Sequence, residues 1–69
     1  MIDILKLKAL IVERNMTQKE VAKRLGISKK VWYDRMKKRK FDSDEMYELI
    51  KILGIENPTP IFFANKVSW

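Results

Sequence analysis

The chain has 69 residues, which is the length of one small domain and too short for a two-domain enzyme. It contains no cysteine and no histidine, which excludes disulfides, thiolate metal ligands, a structural zinc site and a histidine-based catalytic triad. The formal net charge is +6, and ten of the 15 basic residues lie between positions 17 and 40, so a polyanion is the first partner to consider.

Two amphipathic helices are predicted in the first part of the chain. The first runs from Asp3, a candidate N-cap, to about Asn15. Its apolar residues recur at helical spacing: Ile4, Leu7, Leu10 and Ile11. Thr17 and Glu20 then have the spacing of a capping box, which predicts a second helix. That helix is short, because Gly26 favours the left-handed conformation that ends a helix.

A third helix is predicted from Ser28, another N-cap, to about Lys37. Trp32 and Met36 are four residues apart and form its inward stripe. The remaining face is polar and mostly basic, with Lys29, Lys30, Tyr33, Asp34 and Lys37. The third helix is thus expected to bury one stripe and to present a cationic surface.

The last third of the chain predicts one clear helix and one short helix. Asp42 and Glu45 form a second capping box, for a fourth helix that ends at Gly54. The pair Thr59-Pro60 reads as an N-cap followed by proline at the first helical position, which predicts a fifth helix over residues 61 to about 66. Four apolar residues here either cover the core or form a dimer interface: Phe62, Phe63, Val67 and Trp69.

Two short helices joined by a tight turn, the second basic on its outer face, suit the major groove of B-DNA. The segment from Thr17 to Ser28 resembles the helix-turn-helix of the XRE or Cro/repressor family of DNA-binding transcription regulators. Residues 62 to 67 are similar to the ends of short phage Cro-like regulators. The commonest XRE pattern has an apolar residue at the position of Arg35 and an acidic one at that of Met36, so this chain shifts the apolar position by one.

The resemblance implies an all-α bundle of four or five helices over residues 1–69. The helix-turn-helix would occupy about residues 17–37, and a short helix and tail residues 59–69. The residues expected to read bases are Ser28, Lys29, Lys30, Tyr33 and Asp34. The residues expected to contact phosphates are Gln18, Lys19, Lys37, Lys38, Arg39 and Lys40.

Several of these residues have a purely structural alternative. Ser28 can serve only as a cap. Asp34 can pair within its helix with Lys30 or Lys38, each four residues away. The basic run from Lys37 to Lys40 can be a solvated loop. These alternatives remain open at the level of sequence.

Two functions follow. The first is a sequence-specific repressor, namely a phage or prophage Cro-like regulator that binds a palindromic operator as a homodimer. Such a protein would bind double-stranded DNA, need no cofactor or metal, have no enzymatic activity, and act in the cytoplasm at the bacterial nucleoid, away from membranes. The second is a protein-interaction module on the same scaffold, such as an anti-repressor or an inhibitor of a host nuclease.

Overall fold

A computed structural model describes residues 2–63, and within them it contains five helices and no strand. The helices are α1 (Ile4–Glu13), α2 (Gln18–Leu25), α3 (Lys29–Lys38), α4 (Ser43–Leu53) and α5 (Thr59–Phe62). The predicted all-α class is confirmed. Across this described part of the chain, none of the helices combines the length and apolar character needed to cross a bilayer.

Side-chain caps start the first four helices, as predicted. Asp3, Thr17, Ser28 and Asp42 each accept a hydrogen bond from the backbone N–H three residues further on. At α2 and α4 the glutamate at that position returns a bond to the cap backbone, which completes both predicted capping boxes. The start of each of these four helices is therefore encoded within four residues of sequence.

The same four helices also share one type of ending. A residue with positive φ follows each of them, and these residues are Asn15, Gly26, Arg39 and Gly54. The N–H of the next residue then bonds a carbonyl five positions back, as from Ile27 to Ala22 over 3.1 Å. The two glycines were predicted as helix ends from their conformational freedom. Arg39 adopts the same left-handed geometry (φ 56°) although its Cβ disfavours it.

All five helices contribute to one core, in which α2 contacts α1, α3 and α4, and α1 contacts α5. Trp32 is fully buried and its ring centroid lies 5.4 Å from that of Phe41. The other buried side chains come from every helix and from Ile2 ahead of α1; those on the helices are Leu7, Ile11, Val21, Ala22, Met36, Leu49, Leu53, Ile61 and Phe62. Trp32 and Met36 are thus the inward stripe of α3, as their spacing predicted.

The start of α5 differs from the prediction. Pro58 occupies the N-cap position and Thr59 is already helical, so Thr59 is not the cap. The physical reason is a local turn in which the Asn57 side-chain oxygen accepts from the Thr59 N–H over 3.3 Å. That bond satisfies an amide at the helix start without a cap from Thr59.

The end of α5 was also placed too late. The helix stops at Phe62, because Phe63 leaves helical geometry with φ −126° and ψ 36°. The carbonyl of Ile61 accepts from the N–H of Asp3 over 2.7 Å, which ties the segment to the start of α1. A tertiary bond therefore uses a carbonyl that a longer helix would have used itself.

The two described aromatics of the proposed dimer interface have different environments. Phe62 is 3% exposed and belongs to the core of the monomer, which is the structural alternative for this residue. Phe63 is 42% exposed. Val67 and Trp69 lie outside the described residues.

Candidate nucleic-acid interface

The turn between α2 and α3 sets the angle of the two helices. Gly26 has φ 80°, a conformation that side-chain-bearing residues rarely adopt. Ile27 follows directly, half-buried against the core, and Ser28 then caps α3. Ala22 is buried where α2 meets its neighbours, and its small side chain permits close packing. Only three residues separate the two helices, and the C-cap of α2 and the N-cap of α3 fix the conformation of this connection.

The outer face of α3 is exposed at the positions predicted to read bases. Lys29, Lys30 and Tyr33 are exposed, and Ser28 is exposed at the helix start. Burial of Trp32 on the opposite side fixes this orientation. The helix is accordingly free to enter a groove.

Ser28 is a structural cap, and its side chain also remains accessible. Its Oγ accepts from the N–H of Val31 over 3.1 Å. A hydroxyl that accepts one bond can still donate its own hydrogen. Capping and contact with DNA are therefore compatible at this residue.

Gln18 is held by the core through a bond that sequence reasoning missed. The buried indole Nε1 of Trp32 donates to Gln18 Oε1 over 2.9 Å. Because an indole nitrogen can only donate, Gln18 must turn its oxygen inward and keep its NH₂ group for another acceptor. Within residues 2–63 no hydrogen bond from that NH₂ group is formed. Gln18 thus presents an oriented donor beside the N-terminus of α2.

The N-terminus of α2 adds backbone donors to the same place. The capping box uses the N–H groups of Thr17 and Glu20. The N–H groups of Gln18 and Lys19 have no partner within the described part of the chain, and such groups at a helix start favour anions. The exposed side chain of Lys19 supplies positive charge nearby, whereas the Glu20 carboxylate opposes an anion. The predicted phosphate contacts of α2 therefore lie together.

Asp34 differs from the other predicted base-reading residues, because it is half-buried and already paired. Its Oδ2 lies 3.3 Å from Lys38 Nζ and 4.0 Å from an Arg35 guanidinium nitrogen. The pair with Lys38 is one of the two alternatives that its spacing allowed. Any base contact by Asp34 would compete with these ion pairs.

An ion pair between α3 and α4 was also missed from the sequence. Arg35 Nε donates to both carboxylate oxygens of Glu45, at 3.0 and 3.3 Å. This hydrogen bond and the Coulomb attraction of the same carboxylate raise the pKa of Arg35. Glu45 also belongs to the α4 capping box. One carboxylate therefore links the rotational orientation of α3 about its axis to the start of α4. The sequence signal for this pair was the position of Arg35 beside the apolar stripe of α3, because a partly buried charge needs a partner of opposite charge.

The basic run from Lys37 to Lys40 is exposed at the far end of α3. At 1.5 Å per residue this end lies about 15 Å from Ser28. Lys38 forms an ion pair with Asp34. Arg39 occupies the left-handed position that ends the helix. The basic run and the α2 N-terminus thus stand at separate places around α3, as two sets of phosphate contacts would require.

Acidic residues at the start of α4 have a structural explanation. Asp42 and Glu45 serve the capping box, and acidic groups there favour the helix dipole. Among residues 2–63 no cluster of acidic side chains is arranged to hold a metal ion.

Comparison with protein families identifies the central segment. A family model described as Helix-turn-helix matches residues 7–31, which cover most of α1, all of α2, the turn and the beginning of α3. Searches of curated proteins and of solved structures each found no match. The match includes the tight turn and the exposed start of α3 described above. Residues 7–31 are therefore similar to a helix-turn-helix, an element through which transcription regulators bind DNA.

Proposed function

We propose that this protein is a sequence-specific repressor of the phage Cro-like kind, which binds a palindromic operator as a homodimer and blocks transcription by occupying it. The observation that carries the proposal is the exposed, basic start of α3, held outward by the fully buried Trp32. A helix about 10–12 Å wide fits the major groove.

Base recognition is assigned to the start of α3. Lys29 and Lys30 are exposed there and can donate to guanine O6 and N7. Tyr33 contacts a thymine methyl group or a phosphate, and the Ser28 hydroxyl is within the same surface. Discrimination between sequences would come from these four residues.

Phosphate contacts are assigned to the two flanks. On one side Gln18 donates its NH₂ group, together with the free amides of α2 and the ammonium of Lys19. On the other side the basic run from Lys37 to Lys40 follows the sugar-phosphate backbone. These contacts supply affinity and orientation without reading sequence.

The size of one domain supports a homodimer. A single module buries about 600–1,000 Å² on DNA, which is modest for tight binding. Two copies on half-sites about 34 Å apart would restore affinity and match a palindrome. The exposed Phe63 is retained as an interface candidate, with Val67 and Trp69 of the tail.

The test is selection of bound duplexes from a random pool, followed by titration of the recovered sequence at several salt concentrations. A dimer that neutralises three to five phosphates per copy should give a slope of log K against log salt of roughly −5 to −9. The recovered sequence should be an inverted repeat. A flat salt response, or a pool with no enriched sequence, contradicts the proposal.

One observation favours the protein-interaction alternative. A groove of about 370 Å³ is lined by apolar side chains that include Phe41 and Phe63 and by three residues of the basic run, Lys38, Arg39 and Lys40. An acidic partner with an apolar anchor would suit this groove. Binding of a protein that survives high salt and depends on Phe63, rather than on Lys29 and Lys30, would favour this function over the repressor.

A further inference from the structure

Helix α1 exposes an apolar stripe that the monomer leaves uncovered. Leu5 is 78% exposed and Val12 is 72% exposed. Ala9 lies between them and is also exposed. With spacings of four and three residues, these side chains form one line along the helix.

The stripe points away from the core. The buried side of α1 carries Leu7 and Ile11, and two partly buried residues, Ile4 and Leu10, flank them. At 3.6 residues per turn the line through Ala9 lies roughly opposite this buried side. The stripe therefore contributes little to the packing of the monomer.

Charges of opposite sign border one edge of the stripe. Lys6 and Glu13 are seven residues apart, so they stand on the same edge, near opposite ends of the helix. Both are exposed, and the Glu13 carboxylate has only a 3.4 Å surface pair with Arg14. Lys6 forms no ion pair among residues 2–63.

We infer that this face of α1 binds a second copy of the chain in an antiparallel, two-fold arrangement centred on Ala9. A two-fold axis across two antiparallel helices brings each edge against the same edge of its partner. Lys6 of one copy then faces Glu13 of the other, and this pairing occurs twice. Leu5 packs on Val12 of the other copy, also twice, and the small Ala9 side chains let the helices approach closely at the axis.

One interaction opposes this dimer. Lys8 lies on the other edge near the axis, where it meets Lys8 of the second copy. The contact also involves only one helix of ten residues per copy, which is smaller than interfaces of standard size. We therefore expect weak association that depends on protein concentration.

The first test measures self-association without DNA, so its outcome is independent of whether the protein is a repressor. Analytical ultracentrifugation of the full chain should show a monomer–dimer equilibrium. Ala9→Glu places two carboxylates at the axis and should raise the dissociation constant at least about tenfold. The control Tyr47→Glu introduces the same carboxylate at an exposed residue of α4 and should leave the constant unchanged.

The second test reverses the charges. Lys6→Glu and Glu13→Lys should each weaken the dimer, and the double variant should restore it, because the ion pairs are then re-formed in the opposite sense. Each reversal also suits the α1 dipole, so a weaker dimer would not reflect a weaker helix. Lys8→Gln should tighten association by removing the like charges.

Three results would overturn the inference. The first is a wild-type chain that stays monomeric up to about 1 mM. The second is a dimer that Phe63→Ala abolishes and Ala9→Glu leaves intact, which would place the interface at the C-terminal aromatics. The third is a double charge reversal that fails to restore association.

Discussion

Helices α1 and α3 have the same length, ten residues, and each buries one stripe in the core. Their outer faces differ. That of α3 carries exposed lysines and a tyrosine, whereas that of α1 carries the apolar stripe of Leu5, Ala9 and Val12. The comparison teaches that the buried stripes support the fold, while the chemistry of the outer face sets the kind of partner to be expected, which is a polyanion for α3 and an apolar surface for α1.

The largest expected effect comes from removing the chemistry of the α3 face. Lys30→Ala combined with Tyr33→Ala should reduce discrimination between the selected operator and unrelated DNA by about 10- to 100-fold, since each good base contact contributes about 1–3 kcal/mol. Competition binding measures this loss. Thermal unfolding should change little because both residues are exposed. Loss of folding instead would mean that these side chains support the core.

A second prediction concerns the link between the core and the α3 face. Gln18→Glu keeps an oxygen for Trp32 Nε1 but removes the NH₂ donor and adds a negative charge. Affinity for operator and for unrelated DNA should both fall about tenfold, with stability retained. Fluorescence anisotropy and thermal unfolding measure the two effects.

Gln18→Ala is the matched control for that link. It leaves the buried indole N–H without an acceptor, so stability should fall by about 1–3 kcal/mol. If Gln18→Glu binds DNA as well as the wild type does, Gln18 contacts no phosphate.

A smaller effect is expected at Asp34. Asp34→Asn removes a negative charge from the α3 face and releases Lys38, so affinity for any duplex should rise about two- to threefold. Titration with operator and with unrelated DNA measures this change. A selective loss of discrimination at one base pair would instead show that Asp34 reads a base.

The smallest effect is expected on α1. Leu5→Gln combined with Val12→Gln should change the free energy of unfolding by less than about 0.5 kcal/mol when measured at concentrations where the chain is monomeric. Both side chains are largely exposed, and glutamine is a good helix former. Chemical denaturation at low protein concentration measures it. A large destabilisation would show that the stripe packs within the monomer.

The sequence predicted the starts and ends of the first four helices well, but it did not predict the contacts between helices. Four helix starts and the ends at Gly26 and Gly54 were predicted, because a cap acts on backbone within four residues of itself. The burial of Trp32 followed from its spacing with Met36. The limits of α5 were wrong, because bonds to Asn57 and Asp3 decide them.

At the candidate site, the exposure of the α3 face was predictable and its supports were not. Lys29, Lys30 and Tyr33 lie where the helical period placed them. The bond that orients Gln18 joins residues fourteen positions apart, and the Arg35–Glu45 pair joins residues ten apart. No local pattern specifies which of many polar side chains meet across two helices.

The amino-acid sequence by itself determined where the first four helices begin and which stripe of α3 is apolar, because caps and helical periodicity act over a few neighbouring residues. Only the tertiary structure decided that the Ile61 carbonyl bonds to Asp3 where α5 ends and that Glu45 pairs with Arg35 of α3. It also decided that an apolar line on α1 remains uncovered. These outcomes depend on the relative placement of whole helices, and that placement results from packing every buried side chain into one core at once.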